Sequence, residues 1–131
     1  MPLVGGGGAG NTVNPAGTGT SINYVGDHAY GYSGIIQGTG GEDVLLKFST
    51  SSEYIVGEWA PIYGSDASDN GTWFVKIDGQ VIWEIIATGA TTATFANIGN
   101  KILIPPYSNV EFLVEIGNNR DVGVAFAGRV Y

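Results

Sequence analysis

The chain of 131 residues contains no cysteine, which removes disulfides, thiolate metal ligands and cysteine nucleophiles from consideration. Basic residues are nearly as scarce: five Lys and Arg stand against twelve Asp and Glu, giving a formal net charge of −7. Nucleic-acid binding relies on cations that displace counterions from phosphates, so Lys47, Lys76, Lys101, Arg120 and Arg129, scattered as they are, argue against that partner. An anionic membrane surface would repel the chain for the same reason. No apolar run approaches the ~18 residues of a membrane-spanning helix.

The signatures of catalysis are missing too. His28 is the only histidine, and no Gly-x-Ser-x-Gly turn presents a serine nucleophile. The glycine runs "GTGTS" (17–21) and "GTGGED" (38–43) carry no Lys and open no helix, so they do not cradle phosphate. Twelve acids supply carboxylate pairs in any β protein, and none is singled out for glycosidase chemistry. The expectation is a non-enzymatic protein without a cofactor. Charged residues of both signs make up only 13%, about half the usual share. A surface covered by partners would have that composition.

What is abundant is glycine, concentrated at the start: "MPLVGGGGAGNTVNPAGTGTSINYVG" contains no Asp, Glu, Lys or Arg. Such a stretch has high backbone entropy and, left alone, is a loose tail. We read residues 1–26 as an extended N-terminal arm, able to span roughly 85 Å at about 3.3 Å per residue. Without charges, its attachment rests on backbone hydrogen bonds and on Leu3, Val4, Val13, Ile22 and Tyr24, and pairing along a neighbour's sheet edge suits it. It lacks the basic and apolar regions of a secretory signal, so synthesis in the cytoplasm is the expectation.

From residue 27 to 131 the pattern is β throughout. Expected strands are 28–37, 42–50, 53–63, 72–77, 80–87, 101–104, 109–116 and 122–130. Asp78-Gly79 is a hairpin turn signal, and "GNNRD" (117–121) is another turn cluster. Hydrophobic residues at 44% suffice for a core, and no window shows a helical apolar period. Eight short strands with regular turns predict an all-β fold, an antiparallel β-sandwich, with the jelly roll preferred over an immunoglobulin-like arrangement.

In "NVEFLVEI" (109–116), Val110, Phe112, Val114 and Ile116 share one face, while Glu111, Leu113 and Glu115 share the other. The Asp78-Gly79 hairpin is apolar on both faces: a two-residue turn pairs Val75 with Ile82 and Trp73 with Glu84, opposite a face of Phe74, Lys76, Val81, Trp83 and Ile85. One face is expected to pack the core and the other to meet another chain. Trp73, Val75 and Ile82 are candidates for that interface, together with Ala125 and Ala127 on the small, flat face of the last strand.

Two ligand readings remain. "DASDNG" (66–71) places Asp66, Ser68 and Asn70 at the alternate spacing of a calcium loop, but Ile77 stands where the bidentate acid belongs, so a solvated turn is the simpler expectation. Trp59, Trp73 and Trp83 would serve the alternative function, a carbohydrate- or receptor-binding module that stacks sugars on aromatic rings.

"KILIPPYSNVEFLVEI" (101–116) and the terminal "GRVY" (128–131) resemble small β-sandwich decoration, or cement, proteins of tailed bacteriophage capsids. The resemblance implies a structural protein on the capsid exterior, often trimeric, whose arm reaches across a seam between subunits. That family offers no catalytic residues to carry over.

Overall fold

The computed structural model describes residues 22–63, 70–87, 100–117 and 120–131. Among them are ten strands: β1 (Asn23–Val25), β2 (His28–Tyr32), β3 (Ile36–Gln37), β4 (Glu42–Ser49), β5 (Ile55–Tyr63), β6 (Gly71–Ile77), β7 (Gln80–Ala87), β8 (Asn100–Ile104), β9 (Asn109–Ile116) and β10 (Asp121–Val130). They form two antiparallel sheets, a β-sandwich. One runs β1-β2-β10-β5-β8, with β3 also paired to β10, and the other runs β4-β9-β6-β7.

Local chemistry explains the elements. Asp78 and Gly79 both adopt positive φ, 52° and 84°, the backbone that a tight hairpin requires. The Asp78 carboxylate accepts the Asn109 N–H at 2.8 Å and ties the turn to β9. Alternation in β9 is obeyed: Val110, Phe112, Val114 and Ile116 are buried. They meet Trp59, Phe126, Val122 and Val124 from the opposite sheet in one core. Phe48, Phe112 and Phe126 lie with ring centroids 5.5–6.4 Å apart, and each such buried side chain contributes ~1.5–3 kcal/mol.

The expected first strand, 28–37, is interrupted. Tyr32 pairs with Ala125 and Ile36 with Val122, so Ser33, Gly34 and Ile35 oppose only Val124 and Gly123. Gly34 absorbs the extra residue at φ 75°. The Ser33 hydroxyl replaces the lost ladder acceptor, receiving the Val124 N–H at 2.9 Å.

The hairpin register also differs from the simple two-residue count. Ile77 pairs with Gln80 as expected, but Val75 pairs with Trp83 and Trp73 with Ile85. Ile82 is the extra residue of a bulge, which shifts every later partner by one. Trp73 and Val75 therefore share the core face with Trp83 and Ile85, while Ile82 sits apart from them.

Candidate functional site

Register places three outward-facing rows on the first sheet. Val25, His28, Arg129, Val56 and Leu103 form one; Asn23, Tyr30, Ala127, Glu58 and Lys101 the next; Tyr32, Ala125 and Ala60 the third. Solvent should keep such a face polar, yet Tyr30, Tyr32, Val56 and Leu103 are 48%, 54%, 41% and 55% exposed. The tyrosines make a ridge on β2, and alanines lower the surface along β10. Over β10, between the β2 ridge and β5 and β8, lies a shallow groove of about 490 Å³ lined by His28, Tyr30, Val56, Gly57, Glu58, Lys101, Ala127 and Gly128. Its floor is low because Ala127 offers only a methyl group there; the facing glycines Gly57 and Gly128 point inward, where a Cβ on Gly57 would stand 2.5 Å from the Ala127 carbonyl oxygen and 2.9 Å from the Phe126 ring.

The charges of this face are few and partly neutralised. Asp27 receives the Arg129 guanidinium at 3.0 Å and approaches His28 Nδ1 at 3.1 Å. Glu58 and Lys101 are direct cross-strand partners on the far side of the groove. A partner surface can thus cover apolar area here without stripping water from a dense array of charges.

Ala125 and Ala127, expected from the sequence at an interface, lie at the centre of this face. Trp73 and Val75 do not: both are fully buried, and the Trp73 indole N–H donates to the Gly123 carbonyl at 3.2 Å inside the core. They are core residues because they pair with Val114 and Phe112 on the core face of β9, and the bulge at Ile82 brings Trp83 and Ile85 to that same face. Ile82 itself is 47% exposed on the other sheet. Tyr30, Tyr32, Val56 and Leu103 were the residues missed. The tyrosines at every second position of "HAYGY" held a signal for Tyr30 and Tyr32, whereas Leu103 stands inside the unbroken apolar run of "KILI" and only the fold shows that it faces out.

Of the indoles proposed for stacking, Trp59 and Trp73 are 2% and 0% exposed, so neither presents a ring face to a ligand. Trp83 is half-buried at the core margin and meets Trp59 edge to face at 6.1 Å. Ile22 and Tyr24, expected in a partner-binding arm, are instead joined to the sandwich. Ile22 is 2% exposed in the core. Tyr24 lies in β1, and its hydroxyl donates to the Glu53 carboxylate at 3.3 Å. Burial, then the Glu53 charge and that hydrogen bond, pushes the Tyr24 hydroxyl up to about 12. Leu3, Val4 and Val13 lie outside the described residues, as do Asp66 and Ser68 of the loop considered for calcium; Asn70 is exposed just before β6. Among the described residues no group of His, Asp and Glu could hold a metal ion. No family model matches the chain, and no curated protein matches its sequence.

Proposed function

We propose that this chain is a non-enzymatic structural protein, a capsid decoration or cement protein of a virion, built as a jelly roll that self-associates as a trimer and attaches to a larger protein lattice. Strand order supports the jelly roll. With β2 and β3 taken as one interrupted strand and β1 as an addition, eight strands remain in two sheets, β2/β3-β10-β5-β8 and β4-β9-β6-β7, the count and pairing style of that fold. The resemblance of residues 101–116 and 128–131 to capsid decoration proteins is the ground for the lattice, the virion exterior and the trimer.

The observation that carries self-association is the outer face of the first sheet. Its tyrosine ridge and alanine trough are rimmed by charges of both signs, so the ridge of one copy has a trough and opposite charges to meet on the next, a head-to-tail contact compatible with a ring. Light scattering of the full chain over the micromolar range tests this. The expected mass is a multiple of the 13.6 kDa chain, falling to a single chain in Ala127→Arg, whose guanidinium would fill the trough. A full chain that stays monomeric throughout overturns the reading.

A further inference from the structure

We infer that the edge of β7, unpaired among the described residues, receives as an added strand the uncharged N-terminal segment of a second copy of this chain. This rests on the self-association proposed above and names a second contact, remote from the face that drives it.

Among the described residues, and apart from the two-residue β3, the two sheets end in four edges: β1, β8, β4 and β7. Exposed edges invite pairing with foreign strands, and folded proteins blunt them with brevity, charge, proline or bulges. Three of these are blunted. β1 has three residues. β8 has five, carries Lys101 outward and runs into Pro105. β4 carries Glu42 and Lys47 outward and is bulged at Leu45. By contrast, β7 has eight residues with one charge, Glu84, and its bulge lies next to the hairpin, leaving Trp83–Ala87 regular. Val81 and Ile86 are 51% and 65% exposed. On the inner side Trp83 and Ile85 are only partly buried at the margin of the core. Both faces of this edge offer apolar surface that one more strand would cover, and among the described residues no strand pairs beyond it.

The occupant follows from charge, position and length. Pairing β7 with another β7 would bring two Glu84 carboxylates together on chains already at −7. Residues 1–26 contain no charge at all. The chain enters the sandwich at Ile22, over Gly31 and against Leu46 of β4. β7 packs on the opposite margin, where Trp83 meets Trp59. Donor and acceptor on opposite margins make a head-to-tail contact, which closes into a ring when the rotation allows. Residues 1–21 can span about 70 Å, against about 20 Å across four strands, so reaching the far edge of a neighbour is within range.

Full-length single-cysteine chains test this, since the native chain has no thiol. Val4→Cys and Val13→Cys chains are each mixed with Ile86→Cys, or with Val25→Cys as an exposed control on the opposite edge, and oxidised. The expected result is at least tenfold more cross-chain disulfide to position 86 than to position 25, with amide exchange over Trp83–Ala87 slowed at least tenfold in the trapped dimer. Equal yields at the two positions overturn the inference, as does a trapped dimer with unchanged exchange. A bond formed only within a doubly substituted chain at high dilution also overturns it. Light scattering of the unoxidised native chain separates the two failures: an oligomer without the disulfide removes the strand contact alone, and a monomer removes both.

Discussion

Tyr32→Ser measures what the exposed face of the first sheet contributes to association. Tyr32 stands at the end of the β2 ridge, opposite Ala125, with 54% of its surface exposed. A tyrosine offers on the order of 200 Å², so roughly 100 Å² remains to be covered by a partner. At about 25 cal/mol per Å² this amounts to about 2.5 kcal/mol, or a roughly 60-fold rise in the dissociation constant at 1.4 kcal/mol per tenfold. Sedimentation velocity across a dilution series reads that shift. The monomer's own stability should fall by up to about 2 kcal/mol in urea, because the other half of the side chain is covered within the chain, so association is compared without denaturant, where both chains are folded. Val44→Ser is the matched control: Val44 is 40% exposed, but on the other sheet. If Tyr32→Ser dissociates at the same concentration as the parent, or Val44→Ser weakens association equally, this face is not the contact.

Ser33→Ala removes the acceptor of the buried Val124 N–H and should cost about 1–3 kcal/mol in chemical denaturation, the penalty for an unpaired buried donor; a change below half of that would mean another acceptor takes over. Gly57→Ala places a Cβ 2.5 Å from the Ala127 carbonyl oxygen between two central strands, and should lower stability by about 3 kcal/mol, read as a fall in melting temperature. Tyr24 has its hydroxyl raised to about 12, so its contribution is complete below pH 10 and disappears as pH rises towards 12. The parent should lose more stability than Tyr24→Phe across that window, by about 1 kcal/mol once screening at a half-exposed ring is allowed for. At the acid end, burial pushes the Glu53 carboxyl up, but hydrogen bonds from Ser51, from backbone N–H groups and from Tyr24 outweigh it and hold the group below its ordinary value. Its share of stability is therefore present above the normal carboxylate range and is lost as pH falls through the lowered value, which an acid unfolding series of Ser51→Ala against the parent should show as a smaller loss.

Strand content was legible because alternation and turn chemistry are local. Val110, Phe112, Val114 and Ile116 could be assigned to one face from spacing alone, and Asp78-Gly79 fixed a turn through its backbone preference. Faces were less legible wherever an extra residue enters a strand. Nothing in "QVIWEIIA" marks Ile82 as the bulged residue, yet that insertion decides that Trp83 and Ile85, and not Ile82 and Glu84, share the core face with Trp73. The boundary of the arm was misplaced for a related reason. "INYV" continues the uncharged composition before it, and only tertiary contacts, Ile22 over Gly31 and Tyr24 to Glu53, draw it into the sandwich. The exposed face of the first sheet was half-visible: Ala125 and Ala127 were found from their size, but the tyrosine ridge needed knowledge of which side of β2 faces out.

Comparing the two outer faces shows why apolar composition alone does not identify an interface. The second sheet also has large apolar residues on its outward side, Phe74 and Leu113 at the centre of a row running Val44, Leu113, Phe74, Glu84. These two are only 5% and 4% exposed. Lys76 extends over the Phe74 ring, its Nζ 5.7 Å from the centroid, and reaches Glu42 at 3.6 Å. Lys76 thus shields Phe74, its stem lying over the ring while its ammonium head stays in water beside Glu42. On the first sheet the corresponding central strand, β10, carries Gly123, Ala125 and Ala127, which cannot cover anything, and the flanking tyrosines remain open. At the centre of the second sheet the free energy of covering apolar surface is gained within the chain, leaving only its β7 edge open, whereas at the centre of the first it remains available, which is why face-to-face association is assigned to the sheet with the smaller side chains at its centre.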